Sequence, residues 1–261
     1  MNPAVPTWAG VAASAALVLL TIAVAWHGRL RLARDITVAA IRAALQLAAV
    51  GALLLLVFRH TGLTGAIGWL ALMVLIAGRV AARRTPALPK TLLTATTAIT
   101  TGTAATMGTL LALGVIATQA RVVIPVGGMV VSAAMQATAL ALTRLSDEAR
   151  TARPAIEARL SLGLSATDAF APHQRTIVRT ALIPALDSTK TVGVISLPGA
   201  MTGLILAGVD PLTAIRYQIV VMYMLLAAAA LAALSAVRMA ERALFDDAHR
   251  LRPLAAQPTG S

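Results

Sequence analysis

Residues 212–237 read LTAIRYQIVVMYMLLAAAALAALSAV, an apolar run carrying one charge, Arg216, near its start. A hydrocarbon core about 30 Å thick takes about 20 such residues wound as a helix. A helix closes its backbone hydrogen bonds internally, so this run can cross lipid without leaving polar groups unpaired. Six further stretches read the same way, giving seven expected spans: Val5 to Trp26, Ile36 to Phe58, Gly65 to Ala82, Leu92 to Ile116, Val122 to Leu142, Ala181 to Ala207 and Leu212 to Val237. The fold class expected is an all-α polytopic membrane protein.

Composition supports this reading. The chain has 261 residues, 58% of them hydrophobic and only 12% charged, with a mean hydropathy of +0.82. A soluble globule could not cover its surface at normal charge density with so few charges, which excludes a soluble enzyme. With no cysteine, disulfides, thiolate metal sites and cysteine nucleophiles are excluded too, and the redox compartment is left open.

The net charge of +12 would suit a nucleic-acid binder only if the cations shared one soluble face. Instead they follow alternate spans. Arg29, Arg31 and Arg34 follow the first, and Arg79, Arg83, Arg84 and Lys90 the third. Arg144, Arg150, Arg153, Arg159, Arg175 and Arg179 follow the fifth, and Arg238, Arg242, Arg250 and Arg252 the seventh. Only Arg59, Arg121 and Arg216 fall on the other side. The positive-inside rule then sets the N-terminus outside and the C-terminus in the cytoplasm. The first span lacks the positive n-region of a secretory signal and is expected to remain as a helix. A single transmembrane domain is expected over 1–251, with a cytoplasmic loop at 143–180 and a disordered tail at 252–261, rich in Pro, Gly and small polar residues.

Within the loop, apolar spacing around Ile156, Glu157 and Leu160, a stop at Gly163 and a fresh start at Ser165 predict a helix-turn-helix on the membrane surface. Such an element can transmit force from a separate ATPase, with Glu157, Leu162 and Gly163 as the coupling residues; it can also be a plain interfacial anchor. No Gly-x-x-x-x-Gly-Lys-Ser/Thr phosphate loop occurs, so ATP hydrolysis would need another polypeptide.

Polar residues inside the spans form a second group. Asp187 and Lys190 share a helix face and could neutralise one another; each would cost about 2.5–3.5 kcal/mol near a helix centre. Ser196-Leu197-Pro198-Gly199 interrupts the same span, as a cavity lining, a hinge or a packing kink. Gly199 and Gly203 form a Gly-x-x-x-Gly face for close helix contact. Arg42 and Gln46 lie four apart on the second span and should face protein or water. The fourth span is rich in threonine, whose hydroxyls can bond back to the preceding turn. Met107, Met129, Met135, Met201, Met222 and Met224 could offer thioethers to a metal or simply fill the core. No metal ligand set stands out, and no cofactor is implied.

In its second half the chain resembles the FetB-type permeases of bacterial iron-export ABC transporters, to which plant aluminium-tolerance permeases are similar. The resemblance rests on Glu157 to Gly163, Ala181 to Pro184, Asp187 to Gly193, Ser196 to Gly203, Gly208 to Pro211 and Ala214 to Ile219, with weaker agreement at Arg42 to Leu47 and Ile124 to Met129. Ser132-Ala133-Ala134-Met135 departs from the family's Gly-Asn at that place. The resemblance implies a multi-pass permease of the cytoplasmic (inner) membrane that forms a homodimer and exports iron or a related metal with a separate ATPase subunit. It implies contacts with lipid and none with nucleic acid. Permeases for another solute, such as a nucleotide sugar, and an ion-gradient-driven secondary transporter using Asp187 and Lys190 remain alternatives.

Overall fold

The computed structural model describes residues 7–28, 32–60, 62–86, 88–246, 248 and 250–254. Val5 of the first expected span, Arg29 and Arg31 of its flank, the Arg59 side chain and the tail from 255 onward lie outside the described residues. Among the described residues the chain is all-α: α1 Trp8–His27, α2 Ala33–His60, α3 Leu63–Arg83, α4 Thr91–Ala112, α5 Ala120–Thr151, α6 Arg153–Ser161, α7 Ala166–Thr191, α8 Gly199–Leu206 and α9 Pro211–Leu244. It divides into two compact units, Met1–Thr61 and Gly62–Ser261.

In the first unit α1 packs along α2. Thr7 caps α1 by accepting a hydrogen bond from the Gly10 amide at 3.2 Å. Thr21 donates its hydroxyl to the Leu17 carbonyl one turn back, which hides a polar group on an otherwise apolar helix.

The second unit is built around α4, α5 and α9. Their contact surfaces are made of small residues: Ala95, Ala98 and Gly102 on α4, Ala134 and Ala141 on α5, and Ala228, Ala232, Ala233 and Ala236 on α9 are all buried. Lipid tails are as apolar as leucine, so helices in a membrane gain little by hiding leucine from them. Close van der Waals packing through small residues is what holds them together. Gly102 shows how close the approach is: a Cβ there would stand 2.8 Å from the Ala228 carbonyl oxygen and 3.0 Å from the Ala232 Cβ. At Gly78 on α3, a Cβ would meet the Thr96 Cα at 2.9 Å.

Four helices, over Ala9–His27, Leu63–Arg83, Ala120–Thr151 and Pro211–Leu244, are long and apolar enough to cross a membrane. The protein is a polytopic membrane protein. The other expected spans differ for visible reasons. Threonine dilutes the apolarity of α4, part of the C-terminal half of α2 lies outside the described side chains, and the sixth expected span is not one helix. α7 stops at Thr191 and α8 starts only at Gly199, so the interruption expected at Ser196–Gly199 begins four residues earlier, at Val192.

The loop expected at 143–180 also takes a different form. Only α6 is a separate short helix. α5 has 32 residues, about 48 Å at 1.5 Å per residue, well beyond an apolar core of about 30 Å. It runs on through Arg144 to Thr151 because no proline or glycine occurs between Gly128 and Pro154. Likewise α7 begins at Ala166 and continues without a break into the expected sixth span.

Candidate coupling and translocation elements

The turn joining α6 to α7 is stitched at both ends. Leu162 caps α6, and Gly163 follows with φ +85°, the left-handed conformation that glycine adopts without steric penalty. The Gly163 amide donates to the Leu160 carbonyl at 3.0 Å and the Leu164 amide to the Arg159 carbonyl at 3.3 Å. That pair of bonds is the Schellman arrangement, which satisfies carbonyls a helix end would otherwise leave open. Ser165 then caps α7, accepting from the Asp168 amide at 3.2 Å while donating its hydroxyl to the Asp168 carboxylate at 2.6 Å. Leu162 is nonetheless 80% exposed and Leu164 40%. Two apolar side chains thus project from a turn whose backbone is fixed.

Glu157 lies on the first of these helices with its Oε1 2.7 Å from Arg153 Nε. Both side chains are well exposed, so the pair adds only a few tenths of a kcal/mol as an i,i+4 contact. The opposite face of α6 is anchored. Ile156 is fully buried, as are Ala169 and Phe170 on α7. Arg159 Nη1 donates to the Ala169 carbonyl at 3.2 Å. Phe170 meets Phe245 edge-on, with ring centroids 6.2 Å apart. Phe245 in turn bridges to Leu251, and Arg252 donates its amide to the Leu244 carbonyl at 2.8 Å. The chain is therefore held through Arg252, where the disordered tail was expected to begin. Farther along α7, His173 Nδ1 sits 2.7 Å from Glu148 Oε1 of α5. Neither residue stands out in the sequence, because they are 25 positions apart and no local pattern signals the pair.

The break between α7 and α8 is the second element. Thr191 ends the helix, and Gly193 turns the chain with φ +81°. The amides of Val194, Ile195 and Ser196 converge on the Thr191 carbonyl, while the Gly193 amide donates to the Ser196 carbonyl. Val194, Ile195 and Leu197 are all exposed. Pro198 caps α8 and Gly199 is its first residue. Proline at the cap removes a donor that has no partner there anyway.

Asp187 and Lys190 share the exposed side of α7 close to this break, and no ion pair joins them. The mutual neutralisation expected from their spacing is not made within the protomer. A Cβ added at Gly199 or Gly203 would meet no atom within 4 Å, so nothing among the described residues uses that close-packing face. Arg42 and Gln46 are exposed on α2. On α4, Thr97, Thr100, Thr101 and Thr109 bond back to carbonyls of the preceding turn, whereas the buried hydroxyls of Thr103 and Thr106 have no partner among the described residues. No group of three His, Cys, Asp or Glu side chains suited to a metal ion occurs among the described residues.

An all-α polytopic membrane protein with a stitched helical turn and a broken apolar helix defines the class. The chain belongs to the family described as "Uncharacterised protein family (UPF0014)", which matches residues 8–245. It is 36% identical over 239 residues to the UPF0014 membrane protein STAR2 of Oryza sativa subsp. japonica, covering 92% of this chain and 84% of the relative. It is 34% identical over 245 residues to Protein ALUMINUM SENSITIVE 3 of Arabidopsis thaliana, covering 92% and 88%. It is 35% identical over 235 residues to the Probable iron export permease protein FetB of Escherichia coli (strain K12), covering 90% and 91%. No solved structure matches significantly.

Proposed function

We propose that this protein is the permease subunit of an ABC transporter in the cytoplasmic membrane, exporting iron or a related metal ion with ATP hydrolysed by a separate subunit. It crosses the membrane seven times as one domain, with the N-terminus outside and the C-terminus in the cytoplasm, and it works as a homodimer. The observation that carries the reading is the turn at Leu162-Gly163-Leu164. Two exposed leucines stand on a backbone fixed by the Schellman bonds and the Ser165 cap. α7 then leads without a break from that turn to Asp187, Lys190 and the interruption at 192–198. A push on the leucines would travel along a single helix to the polar residues of the spans. The relation to FetB supports iron as the cargo class, and the basic loops support the orientation.

The test is reconstitution. The chain should co-purify with an ABC ATPase, and vesicles holding both should export iron in an ATP-dependent way. Leu162→Asp should weaken that association and lower transport and cargo-stimulated hydrolysis together. Robust ion-gradient-driven transport by this chain alone would replace the reading with that of a secondary transporter.

A further inference from the structure

The side of α7 and α8 that carries Asp187, Lys190, the 192–198 break, Gly199 and Gly203 is not built to face lipid. Both charges are exposed, and among the described residues neither has an ion-pair partner. At the break, three amides share the Thr191 carbonyl, and among the described residues no donor reaches the carbonyls of Gly193, Val194 or Ile195. On the proposed seven-span topology this stretch lies at membrane depth, where open backbone and ionised side chains are tolerated only against protein or in a water-lined cavity. The Gly199 and Gly203 face beside them is open, ready for the backbone of another helix to come close.

We propose that this face receives a second copy of the chain, with Asp187 of each protomer paired to Lys190 of the partner subunit. This deepens the proposed homodimer by assigning its contact surface, and so rests on that reading. The charge pattern is self-complementary. In a two-fold dimer whose axis follows the membrane normal, the two α7 helices run in the same direction. Residues three apart are offset by about 4.5 Å along a helix, a distance a lysine side chain spans easily. Helical side chains lean toward the N-terminus, so Lys190 leans back toward the level of the partner's Asp187. Each contact is made twice, as an isologous interface requires. The two pairs neutralise four charges for which neither protomer has a partner among its described residues.

Charge assortment tests this directly. An Asp187→Lys chain carries two lysines at the contact, and a Lys190→Asp chain carries two aspartates. When the two are co-expressed with different tags, mixed dimers should exceed like-with-like dimers by about tenfold, the scale set by removing like-charge contacts. Random assortment of the tags overturns the proposal. The native chain has no cysteine, so a second measurement is available if either charge variant inserts poorly. Asp187→Cys in one copy and Lys190→Cys in the other should form an inter-tag disulfide in membranes on mild oxidation. A Leu75→Cys pair on the exposed side of α3 should not. Absence of the 187–190 cross-link, or equal cross-linking at Leu75, overturns the assignment. Co-purification of an ATPase with the unmodified chain is scored in parallel: its loss removes the permease reading itself, whereas its retention with random assortment removes only this interface.

Discussion

His173 of α7 and Glu148 of α5 meet at 2.7 Å, Nδ1 to Oε1, and tie the helix that follows the 162–164 turn to a core helix that also packs against α3, α4 and α9. Phe170, one turn earlier, lies 5.8 Å from the His173 ring centroid to centroid and is fully buried. The 162–164 turn is thus connected to α5 as well as to α7, and under the proposed coupling role a push there would reach both.

Replacing His173 with Ala should cost about 1.5–3 kcal/mol, the range for a hydrogen bond involving a charged group. Glu148→Gln should cost less, because the amide oxygen can still accept from the ring. Thermal unfolding of the detergent-solubilised protein measures both, and a double-mutant cycle isolates the pair. Additive losses would mean that the two residues do not interact energetically.

The close approach at Gly102 gives a second test. A methyl there would stand 2.8 Å from the Ala228 carbonyl oxygen, whereas at Gly108 on the same helix it would meet nothing within 4 Å. Gly102→Ala should therefore destabilise by about 1–3 kcal/mol through overpacking, while Gly108→Ala should be neutral or slightly stabilising. The comparison holds the chemistry constant and changes only the room available. Equal melting temperatures for the two variants would contradict the packing described for α4 and α9.

Much of this architecture is legible in the sequence. The run at 212–237 lies within α9, and Gly163 and Ser165 mark the end of α6 and the start of α7, because terminal residues act through local backbone geometry. The break after α7 comes earlier than its proline suggests. Pro198 is a visible helix breaker, but Thr191 ends the helix because Gly193 takes a positive φ and β-branched Val192, Val194 and Ile195 surround it. The polar extensions of α5 and α7 resemble loop in the sequence because hydropathy reports lipid exposure rather than helicity. The spacing of Asp187 and Lys190 places them on one face of α7, but spacing alone does not show whether they pair, and here they do not. Contacts such as His173 with Glu148 depend on tertiary placement and leave no local trace.

Asp246 supplies a pH dependence outside the spans. The backbone amide of Arg250 donates to its Oδ1 at 2.8 Å, and the Ala248 amide and Arg250 side chain add further bonds. These bonds hold the carboxyl below the usual carboxylate range, the Arg250 amide contributing most. A depressed folded value means that the stabilisation is fully present above the ordinary aspartate pKa of about 3.9 and is lost as pH falls through the lower folded value. Hydrogen exchange at the Arg250 amide, corrected for its intrinsic rate, should show constant protection from pH 7 to about pH 4 and a decline below it. Asp246→Asn should flatten that decline. A fall in protection already complete near neutral pH would assign the turn's stability to another group.

Gly163 offers the sharpest test of the proposed coupling role of the 162–164 turn. Its φ of +85° is costly for any residue with a Cβ, yet a methyl there would meet no atom within 4 Å. The penalty is therefore one of backbone conformation rather than crowding. Asparagine tolerates this region, alanine less so, and valine, branched at Cβ, least. Activity should follow that order: Gly163→Asn close to the native protein, Gly163→Ala lower, and Gly163→Val lowest, with a backbone cost of about 1–2 kcal/mol for alanine. Because the turn lies far from Asp187 along α7, membrane insertion and cargo binding should be preserved across the series. Cargo-stimulated ATPase rate and vesicle export, measured on the reconstituted complex, should fall together. If Gly163→Val transports normally while its turn is shown by exchange to be loosened, the Leu162-Gly163-Leu164 segment has no part in coupling and serves only to connect α6 to α7.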